Sequence, residues 1–65
     1  MIRFTTNGTE NGKTAYLAAH RLAGRYVTFA SIVFSGSEWV LRRLESGRID
    51  RFDKLCDAKD EARKG

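Results

Sequence analysis

The fold is decided by residues 26–44, which read YVTFASIVFSGSEWVLRRL. The stretch up to Phe34 is rich in β-branched and aromatic side chains, which favour strands. Ser35-Gly36-Ser37-Glu38 has the composition of a turn, and the chain returns as a second strand over Trp39–Leu44. A two-residue loop at Gly36-Ser37, with glycine at its first position, would set the register. The sequence therefore predicts an antiparallel hairpin over Tyr26–Leu44.

This register predicts which side chains lie opposite each other. The predicted pairs on one face are Phe34–Trp39, Ile32–Leu41 and Ala30–Arg43, and those on the other face are Val33–Val40, Ser31–Arg42 and Phe29–Leu44. Most of these pairs join aromatic or aliphatic partners, as stable sheets do.

The end of the chain has the pattern of a helix over Asp53–Lys64. Asp53 is a suitable N-cap because its carboxylate can accept hydrogen bonds from free amides. Leu55, Ala58 and Ala62 have the spacing of one narrow apolar stripe. Because these side chains are small, we expect the helix to pack closely on the sheet face that carries Phe34, Trp39, Ile32 and Leu41.

Residues 14–23 are compatible with two structures. Their alanine content, a Thr14 cap and Gly24 just beyond favour a helix. A strand is also coherent, with a tight turn at Gly24-Arg25 and the pairs Leu17–Ile32, Ala19–Ala30 and Leu22–Val27. We prefer the strand, with Ile2–Thr5 as a short first strand and Asn7–Lys13 as the connection. The predicted fold class is α+β, a small antiparallel meander of three to four strands with one C-terminal helix on one face; the alternative is βαββα.

Length and composition limit the class of protein. The chain has 65 residues, enough for a single domain over residues 1–65. A chain this short buries only about 60% of its unfolded surface, so added stability from another chain or a ligand is expected. We expect a soluble, cytoplasmic protein, because there is no apolar run of ~20 residues and no signal peptide pattern. One cysteine also fits a reducing compartment.

Catalytic and metal chemistry have little support in the sequence. The one histidine, His20, has no second histidine or paired cysteine to act with, and Cys56 is the only cysteine. Asp50 and Asp53 alternate with basic residues and are interpreted as ion-pair partners and a cap. Phosphate loops and nucleophile motifs are absent. We therefore predict a protein that is not an enzyme and has neither cofactor nor metal.

The balance of charge points to a binding function. The formal net charge is +4, from twelve basic and eight acidic residues. The surplus lies in residues 1–52 and is mostly arginine, whose planar side chain can bind phosphate with two hydrogen bonds and stack on bases. Ordinary solubilising charge is the other interpretation. The predicted nucleic-acid-binding residues are Arg21, Arg25, Arg42, Arg43, Arg48 and Arg51.

The hairpin also has more apolar surface than one helix can cover. Its first strand is apolar on both sides, whereas a sheet with one covered face should alternate between apolar and polar residues. A second layer would come from residues 14–23 as a helix, from a second copy of the chain, or from a target protein. The predicted partner-binding residues are Tyr16, Phe29, Val33, Val40 and Leu44.

A small sheet with one C-terminal helix and a basic sheet side resembles the minimal DNA-binding sheets at integrase N-termini. The compact, arginine-rich chain is also similar to small accessory proteins of phages and mobile elements. These resemblances imply a non-catalytic module that binds nucleic acid or a complex that handles it, with no membrane partner. The alternative is a small protein-binding inhibitor or adaptor that acts through an apolar sheet face, either as a monomer or as a homodimer.

Overall fold

The computed structural model describes residues 2–64, which form a five-stranded antiparallel sheet and one helix. The elements are β1 (Ile2–Glu10), β2 (Lys13–Leu22), β3 (Arg25–Phe34), β4 (Trp39–Arg43), β5 (Ile49–Phe52) and α1 (Leu55–Arg63). Each strand pairs with the next, so the order in the sheet is the order in the sequence. The predicted α+β class is confirmed, with one strand more than the upper limit of the prediction.

The hairpin of β3 and β4 has the predicted register. Ile32 pairs with Leu41, and Phe34 pairs with Trp39 with their ring centroids 5.2 Å apart. The Ser35 amide donates to the Glu38 carbonyl at 2.8 Å and closes the short loop. The last predicted pair is only partly formed: the Leu44 amide donates to the Phe29 carbonyl at 2.9 Å, but β4 has already ended.

Residues 13–22 form a strand, as preferred, but the register between β2 and β3 differs from the prediction, by two residues near the turn and by one residue towards the sheet centre. Ile32 pairs with Tyr16, where Leu17 was expected. The turn is centred on Ala23-Gly24, both with positive φ (53° and 82°), in place of Gly24-Arg25, so Leu22 pairs with Arg25 where Val27 was expected. A shift of two residues keeps each side chain on its face. The extra residue at Phe29 reduces the shift to one over residues 16–18, and this odd shift exchanges the faces of Tyr16 and Leu17.

A β-bulge at Phe29 interrupts the pairing of β2 and β3. Ala18 pairs with Ala30, and Ala19 pairs with Thr28, so Phe29 is left over. An extra residue of this kind redirects its side chain. The Phe29 ring lies 5.1 Å from the ring of His20, centroid to centroid, and packs against the core on the helix side.

The two ends of the chain depart from the prediction. β1 is longer than expected because it continues through an irregularity between Thr6 and Thr9 to the Asn11-Gly12 turn. Residues 49–52, for which no strand was predicted, form β5 and pair with β4. The prediction of Asp53 as N-cap is wrong: Lys54 occupies that position without a side-chain capping hydrogen bond.

The core lies between α1 and the sheet. Ile32 and Leu41 are fully buried there, together with Ala58 and Ala62 of the helix. The predicted stripe of small residues is therefore the face that packs, and it allows the helix to approach closely. At the margin, the Lys59 ammonium lies over the Tyr16 ring, 4.3 Å from its centroid, so a cation covers the aromatic surface that the helix does not bury.

Candidate nucleic-acid interface

The helix covers one face of the sheet and leaves the other uncovered. This second surface, called the open face here, is defined by two cross-strand rows. One row crosses all five strands through Thr5, Leu17, Ser31, Arg42 and Ile49, and the other runs through Val33, Val40 and Arg51. Side chains that pair directly in a sheet point to the same side, so each row presents its residues together.

The centre of the open face is apolar. Leu17, Val33 and Val40 lie there half-buried by their neighbours in the sheet. The corresponding residues on the helix side, Ile32 and Leu41, are completely buried. The central strip is therefore the part of the open face that a bound molecule would remove from water.

Arginines lie on both sides of this strip. Arg42 and Arg51 are on β4 and β5, while Arg3 and Arg21 are on β1 and β2. The Arg3 guanidinium lies 5.2 Å from the centroid of the Tyr26 ring, reaching across Ala19, its partner on β2. Cation–π contact of this kind holds the guanidinium close to the ring. Tyr26 itself is 41% exposed, which leaves part of the aromatic surface accessible.

Few carboxylates are close to these arginines. Arg51 pairs with Glu38 at 3.7 Å. Arg3, Arg21 and Arg42 form no ion pair with any other residue in the range 2–64. Residues 1–37 contain a single acidic residue, Glu10, at the far end of β1. Most of the positive charge of the open face is therefore not neutralised by other groups within residues 2–64.

Acidic residues are concentrated on the other side of the molecule. Asp57, Asp60 and Glu61 belong to α1, and Asp50 pairs with the buried Leu41 and so points to the helix side. The acidic helix residues are largely matched by cations of the same layer, as in the contacts of Asp60 with Arg63 at 2.8 Å and of Glu61 with Lys64 at 3.5 Å. The charge of the molecule is thus unevenly divided between its two layers.

The structure does not bring the six predicted arginines together. Arg21, Arg42 and Arg51 lie on the open face. Arg43 points to the helix side, where its guanidinium donates to the Glu61 carbonyl at 3.3 Å and lies 3.9 Å from the Glu61 carboxylate. Alternation along β4 places neighbouring arginines on opposite faces, so Arg43 connects sheet and helix.

Arg25 and Arg48 also lie away from the open face. Arg25 pairs with Leu22 at the beginning of β3, beyond the bulge and on the helix side. Arg48 is in the loop between β4 and β5 and contacts the Asp50 carboxylate at 3.2 Å. Neither side chain can contribute to a ligand that is centred on the strip of Leu17, Val33 and Val40.

The predicted partner-binding residues are divided in the same way. Val33 and Val40 lie on the open face as expected. Tyr16 and Phe29 lie on the helix side, the first because of the register shift and the second because of the bulge. Leu44 follows the end of β4 and is 51% exposed. The prediction of one surface containing all five residues is therefore wrong.

Sequence reasoning missed Arg3. The short first strand was predicted without a register, and no single-sequence signal sets one. The pairing of Arg3 with Ala19 is what places it on the open face. Once β1 is paired, the alternation of Arg3 and Thr5 with the partly buried Ile2 and Phe4 indicates the side on which Arg3 lies.

Two other features of the described residues bear on function. Among residues 2–64, no group of three or more His, Cys, Asp or Glu side chains could hold a metal ion. Within the same range, no helix is long and apolar enough to cross a membrane.

No protein-family model, curated protein or solved structure matches this chain. Function is therefore inferred from the geometry and charge of the open face.

Proposed function

We propose that this chain is a non-catalytic binding module whose open face engages nucleic acid. The observation that supports it most is the set of unneutralised arginines on the open face. Arg3, Arg21 and Arg42 make no ion pair within residues 2–64, and the acidic residues are concentrated in the helix layer. Arginine binds phosphate through paired hydrogen bonds, and such contacts provide most of the affinity for nucleic acid.

The dimensions of the open face fit a phosphate backbone. Neighbouring strands are about 4.8 Å apart, so the distance from β1 to β5 is roughly 19 Å. Phosphates follow each other at about 3.4 Å along one strand of a duplex, measured on its axis. Arg3 and Arg51 also lie in rows about four residues, or about 13 Å, apart along the strands, so the diagonal between them is roughly 23 Å. They can therefore contact phosphates roughly seven positions apart. Tyr26, partly exposed beside Arg3, can stack on an unpaired base.

Salt dependence of binding is the first test. If the four arginines of the open face neutralise phosphates of duplex DNA, the log–log slope of affinity against salt should be as steep as about −3.6, since each contact contributes about −0.9. Arg42→Ala should reduce the slope by about 0.9 and leave the fold intact. The measurement is fluorescence anisotropy with labelled duplex and single-stranded oligonucleotides over a salt series.

Lys64→Ala is the matched control. It also removes one positive charge, but from the end of the helix layer, where Lys64 is largely exposed and contacts Glu61. It should leave the slope unchanged. Equal effects of Arg42→Ala and Lys64→Ala would show that general charge, not the open face, attracts the nucleic acid.

A protein partner is the second candidate, and one observation favours it. Leu17, Val33 and Val40 form an apolar strip that no other part of residues 2–64 covers. Val40→Lys separates the two candidates because it places a cation among the arginines. It should strengthen nucleic-acid binding, whereas it should abolish docking of an apolar protein surface. Weaker nucleic-acid binding by Val40→Lys, with the fold retained, would contradict the nucleic-acid proposal.

A further inference from the structure

The hairpin of β2 and β3 extends beyond the rest of the sheet. β4 pairs with β3 only as far as Ala30, and within residues 2–64 the pairing of β1 with β2 extends to Ile2 and His20. Residues 19–28, called the ribbon here, therefore project past the end of β4, and they turn at Ala23-Gly24. Their strands are supported by fewer neighbours than the centre of the sheet.

The two sides of the ribbon differ in chemistry. Arg21 and Tyr26 pair on the side that continues the open face. The helix side carries Leu22 and Val27, with exposed fractions of 58% and 36%, and the Phe29 ring at the base. α1 buries its stripe against the sheet centre and leaves this apolar side of the ribbon accessible. Large side chains that remain in water in so small a domain indicate a surface that another molecule covers.

An open cavity of about 340 Å³ lies at the base of the ribbon. Its lining consists of Phe29, Arg43, Glu45 and Ser46. Arg43 is already held by Glu61, so Glu45 is the acidic group that the cavity offers to a ligand. Glu45 forms no ion pair with another residue of the described chain, and the same is true of Arg25 at the tip of the ribbon.

We propose that the ribbon docks on a second copy of this chain, with Leu22 of each copy entering the cavity of the other. A two-fold axis that lies in the plane of the interface and runs across the ribbon brings the two helix sides face to face and exchanges tip and base. The tip carries Leu22 and Arg25, and the base carries the cavity and Glu45. The same rotation that places Leu22 against Phe29 brings Arg25 close to Glu45 of the second copy, so that shape and charge are both complementary. Symmetric pairs of this kind are the usual form of a protein dimer.

The spacing allows both contacts to form together. Arg25 and Phe29 are four residues apart on β3, which corresponds to about 13 Å along a strand. The two copies of the Leu22 contact would be separated by a similar distance, with Val27 of each copy between them. The interface is small, so we expect a dimer that dissociates at low concentration.

The open face is a much poorer surface for self-association. Bringing two open faces together would oppose the arginines of both copies, and like charges in contact are unfavourable. A dimer through the ribbons leaves both open faces accessible. The assembly would then have two basic faces, and its formation does not depend on nucleic acid.

Sedimentation equilibrium of the full chain over the micromolar range tests the proposal. The wild-type chain should show a monomer–dimer equilibrium, and Leu22→Lys should weaken it by more than about tenfold. Arg25→Glu and Glu45→Arg should each weaken it as well, because each opposes two like charges. The double variant Arg25→Glu/Glu45→Arg should recover dimerisation, a result that a general loss of stability cannot produce.

Arg42→Ala is the control on the open face, and it should leave the monomer–dimer equilibrium unchanged. Circular dichroism should show that all these variants are folded, since Leu22, Arg25 and Glu45 are exposed. A wild-type chain that is monomeric throughout the range would overturn the proposal. So would a dimer that Val40→Lys disrupts and Leu22→Lys does not, because it would form through the open face. Neither result affects the salt-slope test of nucleic-acid binding.

Discussion

The two faces of the sheet are made from the same strands but differ in burial and in ion pairing. On β3, Ile32 is fully buried under α1, while its neighbour Val33 is half-exposed on the open face. On β4, Arg43 is held by the helix and Arg42 is free of ion pairs within residues 2–64. Neighbouring residues of the same chemical type thus lie in the core or at the surface, depending only on the face to which each side chain points. The comparison shows that apolar content alone does not identify the covered face of a sheet.

The largest difference between the faces should appear in the stability of core and open-face variants. Leu41→Ala should lower the free energy of unfolding by about 2–5 kcal/mol, because it leaves a cavity under α1. Val33→Ala removes less from a surface that is already partly in water and should cost less than about 1.5 kcal/mol. Urea denaturation followed by tryptophan fluorescence measures both. Similar losses in the two variants would mean that the open face is as well covered as the helix side.

Neighbouring arginines allow a finer comparison. Arg43→Ala should cost about 1–2 kcal/mol, because it removes a part-buried hydrogen bond to the Glu61 carbonyl and an ion pair with the same residue. Arg42→Ala should change stability by no more than about 0.5 kcal/mol, since its side chain is exposed. Thermal unfolding of the two variants gives the comparison directly. A larger loss for Arg42→Ala would indicate that the alternation along β4 is reversed.

The smallest expected effect concerns the turn that joins β2 and β3. Ala23 has a φ of 53°, a conformation that costs an alanine roughly 1–2 kcal/mol and a glycine almost nothing. Glycine also raises the entropy of the unfolded chain by an equivalent of roughly 0.5–1 kcal/mol. Ala23→Gly should therefore stabilise the protein by about 0.5–1 kcal/mol.

The sign of this effect distinguishes the two possible turns. If the turn were at Gly24-Arg25, Ala23 would be an ordinary strand residue and glycine would destabilise it. Ala15→Gly, in the interior of β2, is the control and should destabilise in either case. A loss of stability in Ala23→Gly would thus indicate that the turn lies at Gly24-Arg25, as predicted from the sequence.

Local chemistry made the hairpin of β3 and β4 predictable. A glycine at the first loop position and well-matched cross-strand partners specify its register without help from distant residues. The same is true of α1, where the spacing of Leu55, Ala58 and Ala62 identifies the buried stripe. Its first residue was less predictable, because capping depends on the path of the chain that enters the helix. For the candidate site, the sequence indicated the arginine excess and the positions of Arg42 and Val40.

Contacts between distant segments decided the remaining features. A bulge at Phe29 cannot be read from a strand-like run of residues, because an extra residue shows only when the partner strand is in place. The position of Tyr16 under α1, the role of Arg43 and the presence of Arg3 on the open face all depend on such pairing.

The sequence by itself determined a basic α+β chain with one well-defined hairpin and a narrow apolar helix. Only the tertiary structure decided which residues of β1 and β2 share the open face. The physical reason is the two-residue period of a strand: composition and turn residues limit the possible registers, but a shift of one residue exchanges the faces, and the packing of the helix against one of them selects the register.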